Sequence, residues 1–247
     1  MSTHMAKTAG IVLIGNEILS GKVTDANAAY LCRELRQLGV DVRRITVIPD
    51  EIDLIASSVG EFSRSFDLVF TSGGVGPTHD DVTIEGVARA FGTGVVRHPD
   101  LVRLLDGFYG GDVNEARLRM AEVPDGAELF WAGSLRFPAV VMGNVHVLPG
   151  VPEIFRQKFE ALKERFRESP FHLCCVFVSI GEGILADHLN AVLLVHPELL
   201  LGSYPEFANA EYKVKVTLES KDKGYLDRAV NDLLGRLPDG SLVRIER

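Results

Sequence analysis

The chain has 247 residues, of which 46% are hydrophobic, and a formal net charge of −8 at pH 7. This length allows one large domain or two smaller ones, and the apolar content is sufficient for a buried core. The acidic balance excludes the basic face on which non-specific nucleic-acid binding depends, and no stretch approaches the ~20 apolar residues of a membrane span. The N-terminus has no apolar signal core, so we expect a cytoplasmic protein that binds neither nucleic acid nor membrane.

The first predicted strand is the apolar run Ala9–Ile14, which leads into a glycine-containing loop, Gly15–Lys22. The loop resembles a nucleotide-binding P-loop, but one residue too many separates its glycines and Val23 stands where a hydroxyl is required. The sequence therefore argues against a P-loop ATPase. Asn16 and Glu17 still follow the carboxyl end of a strand, where open α/β sheets bind their ligands.

A helix is predicted over 25–38 and a second strand over 40–48, and Asp50 follows that strand directly. Two interpretations of Asp50 are open. With Asp53 it matches the cap of the next predicted helix, 51–64, which is the interpretation that the local pattern favours. Alternatively, Asp50 faces the same ligand crevice as the other strand ends.

The most informative stretch is a short apolar strand, 68–70, followed by Gly73, Gly74 and Gly76, two carboxylates and a helix that runs through Phe91. Glycines leave backbone N–H groups unshielded, and a helix N-terminus favours negative charge, so this pattern predicts a phosphate site. Two carboxylates beside a phosphate indicate a divalent cation between them. The residues predict a phosphate-bearing ligand together with a metal ion.

The same carboxylates allow a purely structural interpretation. Thr78 and Asp81 have the spacing of a capping box, in which Asp81 would only bond the start of the helix. Asp80 would then be a solvated loop charge. The residues alone leave both interpretations open.

The segment after this loop contains a short strand, 95–97, and two predicted helices, 99–108 and 114–121. Asn114, Arg117 and Arg119 are candidate ligand contacts, because an arginine near a phosphate loop binds phosphate in a bidentate fashion. Two arginines that lie two residues apart on a helix face different directions. We therefore expect no more than one of them to point at a ligand.

Two further strands are predicted over 127–131 and 137–142, and a third over 145–148 after a hairpin turn at Gly143–Asn144. Pro149 and Gly150 follow the third strand and precede a helix predicted from Glu153 to Arg167. This loop has the same position between strand and helix as the glycine loop. Its backbone is therefore a candidate second wall of the ligand site.

A boundary is predicted near 168–170, so the expected domains are residues 1–169 and 170–247. The second contains six predicted elements in the order strand, helix, strand, strand, helix, strand. They cover 173–180, 182–194, 199–203, 211–218, 222–237 and 242–245. This βαββαβ order is that of a ferredoxin-like domain, and Gly202–Pro205 lies between its two halves.

Three loops of the chain carry recognisable motifs: Gly15–Gly21, Gly73–Thr83 and Leu148–Pro152. Together they resemble the MoaB/MogA-type molybdopterin-binding family, in particular the N-terminal part of CinA competence/damage-inducible proteins and the corresponding part of FAD synthases. Asn114–Arg117 and Gly202–Pro205 are similar to the FAD synthase branch. The resemblance implies a three-layer α/β domain followed by a small ferredoxin-like α+β domain. It also implies a homo-oligomer, either a dimer or a trimer.

The resemblance implies several activities. The molybdenum-cofactor enzymes of this family bind molybdopterin and transfer AMP to it with magnesium. The CinA-like branch is associated with metal-dependent hydrolysis of ADP-ribose, and the FAD synthase branch with hydrolysis of FAD. The chain lacks the deamidase domain of full-length CinA and the FAD-making domain of the synthases, so we expect neither of those two activities.

The expected site follows from these motifs. Asp81, Asp50 and Glu17 are the predicted catalytic residues, and Asp80 and Asp81 would hold a divalent metal, Mg²⁺ or Co²⁺, with K⁺ as a further candidate. The residues predicted to bind phosphate or nucleotide are Gly73, Gly74, Gly76, Thr78, Asn16, Pro149, Gly150, Asn114 and Arg117. A nucleotide or pterin is the expected ligand. The leading hypothesis is a pyrophosphatase acting on ADP-ribose, FAD or a similar dinucleotide; the alternatives are molybdopterin binding or adenylyl transfer, and a non-catalytic nucleotide-binding module.

Overall fold

The computed structural model describes residues 6–132 and 135–247. The chain divides into two compact units, one ending at Glu168 and the other beginning at Ser169. No helix among the described residues combines the length and the apolar character needed to cross a membrane.

The first unit alternates strands and helices for most of its length, as the apolar runs and amphipathic stretches of its sequence predict. Its strands are β1 Thr8–Ile14, β2 Asp41–Ile48, β3 Leu68–Ser72, β4 Val95–Arg97, β5 Glu122–Pro124, β6 Glu128–Phe130, β7 Ala139–Met142 and β8 Val145–Leu148. Its helices are α1 Asn16–Leu19, α2 Asn27–Gln37, α3 Ile52–Ser65, α4 Thr83–Ala90, α5 Pro99–Tyr109, α6 Glu115–Arg119 and α7 Pro152–Leu162.

Six strands form the central sheet in the order β2-β1-β3-β8-β7-β6. The four strands β2, β1, β3 and β8 are parallel, whereas β7 and β6 run antiparallel at one edge. In a parallel sheet the carboxyl ends of neighbouring strands meet at one edge. The loops that follow β1, β3 and β8 therefore emerge side by side.

Helices cover both faces of this sheet and make the expected three-layer arrangement. Alternate residues of β1 point to opposite faces, so Leu13 packs in one core cluster and Ile14 in the other. Helices α2 and α7 contribute Leu35 and Phe159 to the first cluster. Helices α3, α4 and α5 line the second, for example through Val59. Strand β1 is almost entirely apolar because both of its faces are buried.

Several local predictions for the first unit were wrong. The loop after Gly15 contains a short helix, α1, and residues 122–124 form a strand, β5, that pairs with β4. The helix predicted to reach Arg167 ends at Leu162 and is followed by a 3-10 turn, Lys163–Phe166. The predicted hairpin turn is present, but only Gly143 has a positive φ, at 57°.

The second unit contains the remaining six elements, in the predicted order. They are β9 His172–Val178, α8 Glu182–Val195, β10 Leu200–Pro205, β11 Val214–Ser220, α9 Lys223–Arg236 and β12 Leu242–Glu246. The four strands form an antiparallel sheet in the order β10-β11-β9-β12. Both helices pack on one face, through residues such as Leu189 and Leu233. Gly202–Pro205 lies within strand β10 and not between the two halves of the unit.

Candidate functional site

Three loops of the first unit come into backbone contact at the carboxyl ends of β1, β3 and β8. Gly73, with φ of 104°, lies so close to the carbonyl oxygen of Ile14 that an added Cβ would collide with it. A Cβ on Gly150 would lie 3.3 Å from Cα of Gly73. Glycine is required at Gly73 because the backbone has positive φ and leaves no room for a side chain.

The glycine loop presents fewer free amides than the sequence predicts. The N–H of Gly73 donates to the carbonyl of Leu148 at 3.2 Å, so it is not available to a ligand. The N–H groups of Gly74, Val75 and Gly76 have no hydrogen-bond acceptor among the described residues. These three consecutive amides are the available phosphate donors of the loop.

The first amide of helix α4 is also used within the protein. The N–H of Thr83, the first residue of α4, donates to the carbonyl of Gly74 at 3.0 Å, and its hydroxyl donates to the carbonyl of Gly73 at 2.9 Å. The carbonyl groups of Gly73 and Gly74 thus cap the start of the helix, and the Gly74–Gly76 amides take no part in this cap. The amides of Gly74–Gly76 are therefore the candidate phosphate donors of the loop, and the first amide of the helix is not one.

Asp81 closes a turn that holds its carboxylate beside the loop. Its Oδ2 accepts the N–H of Thr78 at 2.8 Å and the hydroxyl of the same residue. Helix α4 begins two residues later, after Val82, without a side-chain cap. Asp81 therefore makes the Thr78 bond of the predicted capping box, but at a turn that precedes the helix and not at the helix start. The carboxylate lies above Gly76, where an added Cβ would be 2.6 Å from Oδ2.

Asp80 is the more exposed of the two neighbouring carboxylates. No group of three or more His, Cys, Asp or Glu side chains suited to a metal occurs in the described part of the chain. Asp80 and Asp81 nevertheless fit Mg²⁺ chemically, because this ion is commonly held by one or two carboxylates and completed by substrate phosphate and water.

Asp50 and Asn16 join the ends of β2 and β1. Oδ2 of Asp50 accepts the N–H of Asn16 at 2.8 Å. Helix α3 begins after Glu51 and has no side-chain cap, so the capping interpretation of Asp50 was wrong. The carboxylate of Glu17 folds back over Gly15, where an added Cβ would lie 2.6 Å from its Oε1. Both acids therefore lie at the strand-end edge of the sheet.

The arginine that reaches the loop is Arg119, and not Arg117. Asn114 caps α6 by accepting the N–H of Arg117 at 2.9 Å. The guanidinium of Arg117 bonds Asp112 and stacks on a tyrosine ring, so neither of these two predicted ligand contacts points to the loop. Arg119 donates to the carbonyl of Asp81 at 3.4 Å. This agrees with the expectation that one arginine at most faces the site.

Asn27 is a site residue that sequence reasoning missed. It is 4% exposed, and its Nδ2 donates to Ser72 Oγ at 3.0 Å and to the carbonyl of Gly150 at 2.8 Å. It therefore fixes the loop after β8 against the end of β3. A single asparagine near a helix start normally indicates a solvent-exposed cap, so the sequence gives no signal for this role.

A cavity of about 180 Å³ lies beside the glycine loop. Val75, Gly76 and Pro149 form one wall, and Arg119 and Lys158 line it as well. Lys158 is 8% exposed, and its Nζ donates to the carbonyl of Pro138 at 2.6 Å. Burial lowers the pKa of Lys158 to about 8. A lysine in a helix usually lies on the solvated face, so the sequence did not single it out.

Comparison with known families identifies both units. Residues 10–168 match the family described as "Probable molybdopterin binding domain". The chain belongs to the molybdopterin-binding domain family. Residues 170–246 match a second family, "FAD synthase, middle domain". The resemblance to the molybdopterin-binding family and to FAD synthases is confirmed.

Members of the molybdopterin-binding domain family with similar sequences include archaeal, bacterial and animal proteins. A protein of Archaeoglobus fulgidus is 37% identical, over 93% of this chain and 97% of that protein. The probable FAD synthase of Caenorhabditis elegans is 34% identical, over 92% of this chain and 49% of the relative, so the chain spans about half of that relative's length. A CinA-like protein of Thermotoga maritima is 29% identical, over 93% of this chain and 58% of the relative.

A solved structure supports the fold. The crystal structure of the protein CinA with unknown function from Thermoplasma acidophilum matches with 33% identity and a TM-score of 0.60. The match covers 65% of this chain and 98% of that chain. The protein is therefore a CinA-like member of the family with a mixed α/β fold, as predicted.

Proposed function

We propose that the chain hydrolyses the pyrophosphate bond of ADP-ribose, FAD or a similar dinucleotide with the help of a divalent metal ion. The observation that carries this proposal is the loop after β3, where three amides without acceptors, at Gly74–Gly76, lie in the same turn as Asp80 and Asp81. Amides of this kind bind phosphoryl oxygens, and the carboxylates bind the cation that neutralises them. Similarity to FAD synthases supports a nucleotide as substrate.

The residues have separable roles in this reaction. The Gly74 and Gly76 amides bind one phosphoryl group, and the Thr78 bonds fix Asp81 in position to hold the metal together with Asp80. A bound divalent ion would polarise a phosphoryl oxygen and lower the pKa of the attacking water. Arg119 lies next to Asp81, where its guanidinium offsets negative charge on the phosphates.

The water also needs a proton acceptor. Oδ2 of Asp50 is fixed by the Asn16 amide, which leaves Oδ1 to accept the proton; Glu17 is the second candidate for this role. The water oxygen forms a new bond to phosphorus, and the bridging P–O bond breaks. The products are AMP and ribose 5-phosphate from ADP-ribose, or AMP and FMN from FAD.

A second function uses the same loop. The match to the molybdopterin-binding family favours molybdopterin binding or transfer of AMP to it. Assays with ADP-ribose, FAD, and ATP plus molybdopterin, each with Mg²⁺ or Co²⁺, separate the two. Release of AMP from ADP-ribose or FAD supports the hydrolase, and transfer of AMP to the pterin supports the alternative. No turnover with any substrate, together with a nucleotide-dependent rise in melting temperature, would leave only a binding module.

A further inference from the structure

The cavity beside the glycine loop contains a buried ammonium group that hydrolysis of a phosphate bond does not use. Among the described residues, the hydrogen bond of Lys158 is the one to Pro138, and no carboxylate pairs with it. An ammonium group has three donors, so two remain for the cavity that Lys158 lines. The ammonium group also lies 5.6 Å from the centre of the Phe137 ring. Burying such a charge with a carbonyl and an aromatic ring but no carboxylate beside it is costly, which indicates a role other than stability.

The other walls of the cavity combine flat apolar surface with a few polar groups. Phe137, Val140 and Ile154 contribute apolar surface. Arg119, like Lys158, can only donate hydrogen bonds, whereas the carboxylate of Glu122 can only accept them. Apolar walls with a small number of fixed polar groups are typical of sites that bind one ring in a defined orientation.

The size of the cavity limits what it can hold. Pockets for whole drug-sized ligands measure roughly 300–1,000 Å³. A volume of about 180 Å³ therefore holds a fragment of the ligand and not all of it. Since Val75 and Gly76 belong both to this wall and to the phosphate loop, the fragment is connected to the phosphate.

We propose that this cavity binds the planar ring of the ligand whose phosphate lies on the Gly74–Gly76 amides, and that Lys158 selects a ring with a lactam edge. A lactam edge places a ring carbonyl next to a ring N–H, as in flavins, pterins and guanine. Lys158 and Arg119 donate to the carbonyl, and Glu122 accepts from the N–H. Adenine has no carbonyl to pair with the ammonium group, so of the two named substrates this inference favours FAD, through its flavin ring, over ADP-ribose. This inference rests on the proposed function, because it assumes that the loop binds phosphate.

Equilibrium binding of FMN, GMP, AMP and inorganic pyrophosphate tests the proposal in the full chain. We expect FMN and GMP to bind at least about tenfold more tightly than AMP, because a hydrogen bond from a charged donor contributes about that much to affinity. Lys158→Met should abolish this preference, leave pyrophosphate binding unchanged and raise the melting temperature. Lys163→Met is the matched control, because Lys163 is a half-buried lysine paired with Glu160 and Glu34, away from the cavity, and this variant should bind like the wild type.

A second variant separates ligand selection from a structural role. Lys158→Gln keeps an N–H donor and should retain the preference for FMN at reduced strength. Equal binding of AMP and FMN by the wild type, or an unchanged preference in Lys158→Met, would overturn the selection by Lys158 and leave the phosphate loop intact. Failure of pyrophosphate and all three nucleotides to bind would overturn the proposed function as well.

Discussion

Asp81 accepts hydrogen bonds from Thr78 and also supplies a negative charge for the proposed metal ion. A substitution can separate these two properties. Asn at this position can still accept the N–H and hydroxyl of Thr78, but it has no negative charge for a metal. We expect Asp81→Asn to lower metal-dependent AMP release by about 100-fold or more, with little change in melting temperature. Asp112→Asn, at an exposed carboxylate on another loop, is the control and should retain activity. A variant that unfolds readily yet keeps its specific activity would show that Asp81 is structural.

His146 makes the stability of the first unit depend on pH. It is packed between Phe70 and Phe166, and burial lowers its pKa from 6.5 to about 4. The unfolded chain therefore binds a proton on this side chain between pH 6.5 and 4, whereas the folded chain does not. The contribution of neutral His146 to the unfolding free energy is fully present above pH 6.5. It is lost as the pH falls towards 4, which lowers the unfolding free energy by about 3 kcal/mol.

The corresponding variant is His146→Phe. We expect the difference in unfolding free energy between pH 7 and pH 4 to shrink by about 3 kcal/mol, whatever the cost of the substitution at pH 7. Denaturant titrations of both proteins at the two pH values measure this difference. An unchanged difference would mean that other groups cause the acid sensitivity.

The acidic residues of the candidate site could be singled out from the sequence, whereas the buried polar residues Asn27 and Lys158 could not. Asp50 follows the alternating strand β2, and Asp81 follows the glycine loop after the buried strand β3. Both strand ends are legible from the apolar pattern before them. Asn27 and Lys158 lie in helices, where a polar residue normally faces solvent. Asn27 is buried against Gly150, which lies more than 100 residues further along the chain. Lys158 is buried against Pro138, which lies 20 residues before it. No local pattern encodes such contacts.

The candidate site depends on the close packing of the glycine loop. Substitutions at two glycines with positive φ, one packed against another loop and one in open space, test this packing. Gly73→Ala introduces both backbone strain and a collision with the Ile14 carbonyl. Gly92→Ala introduces strain alone, since nothing lies within 4 Å of its Cβ position. We expect Gly92→Ala to cost about 1 kcal/mol and Gly73→Ala at least about 2 kcal/mol more. Equal losses in chemical denaturation would mean that the three loops are not packed as closely as described.

Most elements were predictable, including strands as short as β4 and β8, whereas helix α1 and strand β5 were missed. The parallel strands and amphipathic helices carry enough apolar residues to display their period. Helix α1 has four residues and strand β5 three, too few for any period. Strand β5 is defined by its pairing with β4, a contact between segments more than 20 residues apart. The capping assignments failed because several helix starts use backbone carbonyls or no side chain at all.

At the scale of the whole molecule, the two units have separate cores. The two core clusters of the first unit contain only residues up to Phe166, and that of the second begins at Cys174. We expect residues 6–168, expressed alone, to unfold cooperatively on heating and to bind pyrophosphate with the affinity of the full chain. The absence of a cooperative transition in calorimetry would contradict independent folding.

The oligomeric state remains a prediction at this scale. The family resemblance implies a dimer or trimer, and sedimentation of the full chain measures it. Strand β2 is an edge of the central sheet, and its Ile45 and Val47 are partly exposed.

The most direct measurement is a crystal structure of the full chain soaked with FAD and Co²⁺. We expect a phosphoryl oxygen within about 3 Å of the Gly74 and Gly76 amides, with the metal ion bound by Asp81. A loop closed by its own side chains, with the nucleotide bound elsewhere on the protein, would contradict the account.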